Sequence, residues 1–224
     1  EVPDGDALLG AGLRGFTDPD SRRTYPWGKE DPEVLDEGIN AISMETESMK
    51  DLVENLLFLA RHDKKTLMME MSDFDPVEVV EEVAREEGIV DPSHTFTVEP
   101  AVHMTLNADR NMVKQVVRIL ADNAIKYSPA DTEIRLGVQA SNGSCCLTVT
   151  DHGQGISSEE LPKIFERFYR SDQARHSESG GPGLGLSIAR IIVVAHRGKI
   201  QVRSKPGSGT TFSLLFPLNR QTVS

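Results

Sequence analysis

Cysteine is nearly absent from this chain, and basic residues are outnumbered. The only cysteines among the 224 residues, Cys145 and Cys146, are adjacent. They cannot form an ordinary structural disulfide with each other, a usage that fits a reducing, cytoplasmic setting. As neighbours on a strand they are expected to face opposite ways. With 24 Lys and Arg against 35 Asp and Glu, the formal net charge is -11 and the isoelectric point is near 5.0. That balance disfavours sequence-independent nucleic-acid binding, which rests on neutralising phosphates with cationic side chains. An anionic ligand must instead be held by local geometry. No apolar run approaches the roughly 18 residues of a membrane span. The chain opens at Glu1 with no signal peptide, and the expectation is the soluble part of something longer. Histidine is missing from the first quarter, the earliest being His62.

What is present divides the chain. Residues 1–30 hold five Gly and three Pro, including "GAGLRGFTDPDSRRTYP". A helix there would cost about 1 kcal/mol per Gly and 3 per Pro, so the segment reads as irregular. From Pro32 the residues Leu35, Ile39, Ile42, Thr46, Met49, Val53, Leu56 and Ala60 follow the 4-3 spacing of a coiled-coil seam, widened by Leu52, Leu57 and Leu59. The spacing predicts a helix through about His62 that packs in a bundle or dimer; the alternative is an amphipathic helix lying on its own domain. Beyond it, "TLMMEMSDF" reads as a strand, and Asp75-Pro76 opens a helix to about Glu87. Short strands are expected at 95–98 and 102–106, then a helix over 109–127 closed by Ser128-Pro129. "TEIRLGVQA" and "SCCLTVTD" flank the turn "SNG" as a hairpin. A helix over 184–196, the strand "KIQVRS", the turn "KPGSG" and the strand "TTFSLLFP" follow. The fold class expected is α+β, a sandwich with helices on one face of a mixed sheet, preceded by a helical bundle-type segment.

Four stretches carry chemistry: "ILADNAIKYS", "DHGQGI", "IFERFYRSD" and "GGPGLGLSIAR". Gly183 and Gly185 stand where a loop becomes a helix, so free backbone N-H groups and the positive end of the helix dipole suit a phosphate there. Asp151 ends an alternating strand, where a carboxylate can accept from an amino group such as that of adenine. Gly153 and Gly155 let the backbone bend close to a ligand. Asn123 and Lys126, three apart, share a helix face: an amide oxygen can ligate Mg2+ and an ammonium can pair with phosphate. The plainer readings are a solvated polar residue for Asn123 and a dipole-complementing cation for Lys126.

In order and spacing these stretches resemble the ATP-binding catalytic domain of sensor histidine kinases, within the wider ATPase group that includes the gyrase B subunit, the 90-kDa heat-shock chaperone and MutL. "DNAIKYS" is similar to that family's N box, "DHGQGI" to its first glycine box, "IFERFYR" to its F box, "GLGLSIAR" to its second glycine box and "GSGTTF" to its third. The F box sets histidine kinases apart from the gyrase and chaperone branches. "VENLLFLARHD" looks like the end of the second dimerisation helix. The resemblance implies ATP and Mg2+ as ligands. Asp151 would accept from the adenine amino group, with Gly155 and Thr210 completing the base pocket and Gly153 and Ile156 also among the nucleotide-binding residues. Asn123 would ligate the metal, and Lys126, Tyr127 and Arg170 would reach the phosphates or sugar. Gly183, Leu184, Gly185 and Leu186 would set backbone amides at the phosphate chain. It further implies a dimerisation helix over 31–66, a catalytic domain over 67–224 and a lid over 156–182 anchored by Phe165 and Phe168. A homodimer through 32–62 and a response regulator receiver domain would be the partners, at the cytoplasmic side of a membrane-anchored sensor.

The chain departs from the family pattern in three places. Ile119 replaces a polar residue one turn before Asn123, weakening organisation of Mg2+ or of the phosphate. Pro182 removes an N-H before the second glycine box, a loss worth roughly 10- to 100-fold in affinity. No histidine stands near Leu8 or Leu9, where the family's phosphoacceptor helix would place one. Residues 1–30 therefore read as a degenerate acceptor segment, a spliced or joined boundary, or a frame-shifted reading. The leading expectation is a histidine protein kinase region whose autophosphorylation is doubtful. The rivals are a non-catalytic dimerising interaction module and a serine kinase or ATPase of the wider group.

Overall fold

In a computed structural model the described residues are 32–63, 67–170 and 182–218. Residues 1–30, expected to be irregular, and 171–181, in the later part of the expected lid, lie outside them. Contacts divide the chain into Glu1–Ser48 and Met49–Ser224. Helix α1 runs Pro32–Asp63. In the first unit it exposes the seam residues Ile39 and Ile42, and Thr46 Oγ1 donates to the Ile42 carbonyl (2.7 Å).

In the second unit α1 leaves Met49, Val53, Leu56 and Leu57 exposed. Leu59 is buried in the domain core, with Leu52 and Phe58 packed against it. The elements that follow are β1 (Met71–Phe74), α2 (Pro76–Val90), β2 (Thr95–Val98), β3 (Leu106–Asp109), α3 (Arg110–Tyr127), β4 (Glu133–Ser141), β5 (Ser144–Asp151), α4 (Gly185–Ala195), β6 (Lys199–Ser204) and β7 (Thr210–Pro217). Strands β2-β4-β5-β7-β6 form a five-stranded sheet. It is mixed because β2 pairs parallel to β4 while the other neighbours are antiparallel. Strands β1 and β3 form a separate antiparallel pair.

Alternation decides which sheet face is covered. Leu136 pairs with Val149 and Val149 with Phe212, so these residues share one face, and all three are buried. Val79, Val83, Val116, Leu120, Ile188 and Ile192 bring α2, α3 and α4 into the same core. Cys145 is buried on that face and Cys146 half-buried on the other, as adjacent strand positions require.

Caps fix the helix starts. Asp75 accepts from Val77 N (3.0 Å) with Pro76 at the first helical position, and Asp109 accepts from Met112 N (3.1 Å). Asp109 is also a junction, accepting from Glu70 N (2.9 Å) while its own N-H donates to His196 Nε2 (3.0 Å). His196 Nδ1 donates to the Ile192 carbonyl (2.8 Å), and the ring meets Phe216 edge-on. This junction explains the main correction to the expected boundaries. The strand expected over "TLMMEMSDF" is confined to Met71–Phe74, and the one expected over 102–106 begins only at Leu106. The β1–β3 pairing ends where Asp109 turns into α3, and Val102 stays exposed with no strand beside it. Helix α2 runs on to Val90, and the Asp91 N-H closes it on the Glu87 carbonyl (2.8 Å).

Glu87 gives a stability prediction. Its side chain is 4% exposed, with Arg118 Nε 3.3 Å away and itself largely solvated. Burial, aided by Asp122, pushes the carboxyl up to about 6 against the opposing pull of Arg118. A raised carboxyl pKa means that the fold binds the proton more tightly than the unfolded chain. The advantage is complete below about 4.5 and is lost as pH rises through about 6. Glu87→Gln is therefore expected to stabilise the chain by about 2 kcal/mol at pH 7.5 and to be neutral at pH 4.5, measured by urea unfolding at the two pH values.

Candidate nucleotide-binding site

The site is built on the ends of β5, β7 and β6. Thr210 pairs with Asp151 on one side and with Ser204 on the other, so the three side chains form a row on the helix-covered face. Asp151 is 8% exposed. Its Oδ1 accepts from Gly153 N (2.8 Å) and Thr210 N (3.1 Å), and Oδ2 has no hydrogen bond among the described residues. Burial raises the carboxyl above its usual range, while the two N-H donors and His152 oppose the shift.

Two close backbone approaches hold the loop after β5 against the β6–β7 turn. A Cβ on Gly155 would collide with the Lys205 carbonyl, and one on Gly209 with the Asp151 carbonyl. Gly207 N donates to the Gln154 carbonyl (2.7 Å), and Gln154 N to the Tyr127 carbonyl (3.1 Å). The second bond ties the loop to the C-terminus of α3. Ser204 Oγ accepts from Ile156 N (2.8 Å), contacts the Gly209 carbonyl at 3.0 Å and lies 2.9 Å from Thr210 Oγ1.

On α3, Asn123 is half-buried and Lys126 exposed. Burial raises the Tyr127 phenol, and the Arg170 guanidinium pulls it back, so charge from the F-box stretch reaches the end of α3. Ile119 is packed toward the start of α4, its Cγ2 lying 3.1 Å from where a Gly185 Cβ would sit. Leu184 is buried and caps α4 without a side-chain hydrogen bond. The first internal bond is Ile188 N to the Leu184 carbonyl (3.0 Å), so helix geometry leaves the N-H groups of Gly185, Leu186 and Ser187 without intrahelical acceptors. Pro182 has no N-H to add to them.

The F-box stretch is stapled to this helix start by Phe168 N donating to the Gly183 carbonyl (3.0 Å). Phe165 is partly buried against the core, with the Arg190 guanidinium 5.9 Å above its ring. Phe168 is 62% exposed and adopts φ 63°, an uncommon geometry for an aromatic residue. Arg167 grips Asp63, at the end of α1, with both arms (2.9 and 2.6 Å). That guanidinium lowers the Asp63 carboxyl to about 2.

Asp151, Gly153, Gly155, Ile156 and Thr210 thus converge in one cluster. Tyr127 joins it through the Gln154 bond, and Gly183, Leu184, Gly185 and Leu186 cluster at the start of α4 beside Ile119. Asn123, one turn beyond Ile119, and Lys126 share the α3 face, and Arg170 reaches Tyr127. Sequence reasoning missed Ser204, Arg190 and Arg167. Ser204 had a signal, since it follows Ile200 and Val202 at alternate positions of β6 and is a polar residue on the inward side. Arg167 had none, its partner Asp63 being 104 residues away.

Comparison with known proteins bears on the family and the fold. The family model for histidine kinase-, DNA gyrase B-, and HSP90-like ATPases matches residues 108–220. The chain is 40% identical over 190 residues to the sensor histidine kinase YkoH of Bacillus subtilis, covering 85% of this chain and 41% of that protein. It is 36% identical over 193 residues to the signal transduction histidine-protein kinase ArlS of Staphylococcus epidermidis, covering 86% and 42%. The chain therefore spans about two fifths of the length of these curated relatives. Among solved structures, the histidine kinase AdeS of Acinetobacter baumannii superposes with a TM-score of 0.66 at 25% identity, covering 86% of this chain and 87% of that one. The fold, the order of the glycine-rich turns and these likenesses agree: the chain belongs to the family of histidine kinase-, DNA gyrase B- and HSP90-like ATPases, on the side of the sensor histidine kinases.

Proposed function

We propose that this chain is the ATP-binding catalytic region of a sensor histidine kinase, holding Mg-ATP so that its γ-phosphoryl can pass to a histidine and from there to a response regulator receiver domain. The observation that carries the reading is the buried Asp151 carboxylate, whose Oδ1 is taken by two backbone donors while Oδ2 is left to a ligand. An acceptor so placed suits the adenine amino group. The unpaired N-H groups at the start of α4 suit the phosphates, with Lys126 and Arg170 as cationic support. Asn123 would hold Mg2+ through its amide oxygen. Mg2+ commonly takes only one or two protein ligands and completes its shell with phosphate oxygens and water, so one hard oxygen donor fits. When bound, the ion neutralises charge on the phosphates. Among the described residues no cluster of three or more His, Cys, Asp or Glu could hold a metal by itself.

The exposed residues Ile39, Ile42, Met49, Val53 and Leu56 support pairing of α1 with a second copy over 32–62. No helix among the described residues is long and apolar enough to cross a membrane, which is compatible with a cytoplasmic position beside a membrane-anchored sensor. Calorimetry is expected to show Mg-ATP binding with a Kd of about 1 μM to 1 mM. ATP labelled at its γ-phosphorus is expected to leave little or no acid-labile label on this chain. Absence of any heat of binding would remove the nucleotide reading, and acid-labile label on the chain would remove the second expectation.

A further inference from the structure

We propose that Ser204 is a specificity-determining positioning residue: it consumes the hydroxyl proton of Thr210, so that the pocket beside Asp151 offers only hydrogen-bond acceptors and selects a 6-amino over a 6-oxo purine. The inference rests on the nucleotide reading above and deepens it.

It follows from counting protons. A serine hydroxyl has one hydrogen to donate and can accept two bonds. Ser204 Oγ has three neighbours within hydrogen-bond distance. Ile156 N (2.8 Å) is a backbone N-H and can only donate. The Gly209 carbonyl (3.0 Å) can only accept, so it takes the Ser204 hydrogen. The third neighbour, Thr210 Oγ1 at 2.9 Å, must then donate its own hydrogen to Ser204. Thr210 Oγ1 makes no other hydrogen bond among the described residues. Its proton points away from the Asp151 side, and its free acceptor capacity is what the pocket receives.

The cross-strand row makes this matter for a base. Ser204, Thr210 and Asp151 are successive partners across β6, β7 and β5, so the Thr210 hydroxyl and the Asp151 carboxylate are neighbours on one face. An ionised carboxylate accepts only, and Ser204 makes the threonine accept only. A base edge carrying an amino group satisfies both. A 6-carbonyl oxygen has no hydrogen to give and meets two acceptors, and the neighbouring N1–H can satisfy only one of them. Ser204 itself need touch no part of the ligand.

The test compares the affinities of ATP and inosine triphosphate, which differ in the 6-substituent and in the proton that N1 then carries, for the whole chain and four variants. The unsubstituted chain is expected to favour ATP. Ser204→Ala frees the Thr210 hydroxyl to turn and donate, so the ATP-to-ITP affinity ratio is expected to fall about 5-fold. Ser204→Thr, which keeps the hydroxyl, is expected to restore the ratio. Thr210→Val is expected to lower the ratio, and adding Ser204→Ala to Thr210→Val is expected to change it no further. If Ser204→Ala melts below the assay temperature, Ser204→Cys, a weak donor and acceptor of similar shape, serves the same comparison. Equal weakening of both nucleotides by Ser204→Ala, with the ratio unmoved, would overturn the inference while leaving the nucleotide reading intact. Failure of the unsubstituted chain to bind either nucleotide would overturn both.

Discussion

Asp151→Asn is expected to lower the affinity for Mg-ATP by at least about 30-fold while leaving the melting temperature unchanged or slightly raised. A hydrogen bond to a charged group is worth about 1.5 to 3 kcal/mol, a factor of roughly 10 to 150. The local geometry adds to that loss. Gly153 N and Thr210 N both point at the same carboxylate oxygen, so the asparagine must place its carbonyl oxygen there to accept from them. Its NH2 group then occupies the ligand-facing position and confronts the adenine amino group donor to donor. The fold retains both backbone bonds and loses a buried charge, which is why stability should hold. Calorimetry with Mg-ATP and a thermal melt of the same preparation check both halves. An Asn variant binding within about 3-fold of the parent would remove Asp151 from the base pocket.

The same carboxylate makes binding and stability respond to pH in opposite directions. Burial raises its pKa above that of an ordinary aspartate, so the folded chain favours the protonated form. The stability that this contributes is complete below about 3.8 and is lost as pH rises through the folded value. Nucleotide affinity runs the other way, because a protonated Oδ2 can no longer serve as the carboxylate acceptor. Titrating downward from neutrality should therefore weaken ATP binding before the pH reaches the ordinary carboxylate range.

Gly209→Ala is expected to destabilise the chain by about 3 kcal/mol or more and to abolish nucleotide binding. Gly209 adopts φ 84°, and a Cβ there would run into the Asp151 carbonyl oxygen with the His152 Cα 2.9 Å away. Both obstacles are backbone of the strand end that carries the pocket carboxylate, so relief requires that strand or the β6–β7 turn to move. Gly207 is the internal control. It has φ 74° and nothing within 4 Å of an added Cβ, so Gly207→Ala bears only the left-handed backbone cost of about 1 to 2 kcal/mol. For a chain of this size 3 kcal/mol corresponds to a drop of about 6 to 12 °C in melting temperature. Equal melting temperatures for the two variants would show that the turn yields freely and that the close approach to Asp151 has no energetic weight.

The readable and unreadable parts of this molecule differ in how far apart the determining residues lie. The hairpin β4–β5 is set by alternation and by the Asn142-Gly143 turn, where both residues take positive φ; a ten-residue window contains that information. Helix α3 is bounded by the Asp109 cap and by Ser128-Pro129, again locally. Strands β1 and β3 differ by several residues from the bounds their own stretches suggest, because their limits depend on Asp109 meeting Glu70 and His196, 39 and 87 residues away. In the candidate site, Asp151 and the glycines stand out from their own short stretches. Ser204 acquires its place only through the register of three strands, and Arg167 only through α1.

The junction at His196 has a consequence for the chemistry of phosphoryl transfer. Imidazole attacks phosphorus through the lone pair of its unprotonated nitrogen. With Nδ1 committed as a donor to Ile192, that lone pair sits on Nε2, where it is occupied by the Asp109 N-H. His196 is thereby both sterically shut in and electronically disarmed. A domain proposed to hand phosphate to histidine keeps this one, at the far end of the very helix whose opening turn is proposed to hold the phosphates, incapable of becoming a rival nucleophile.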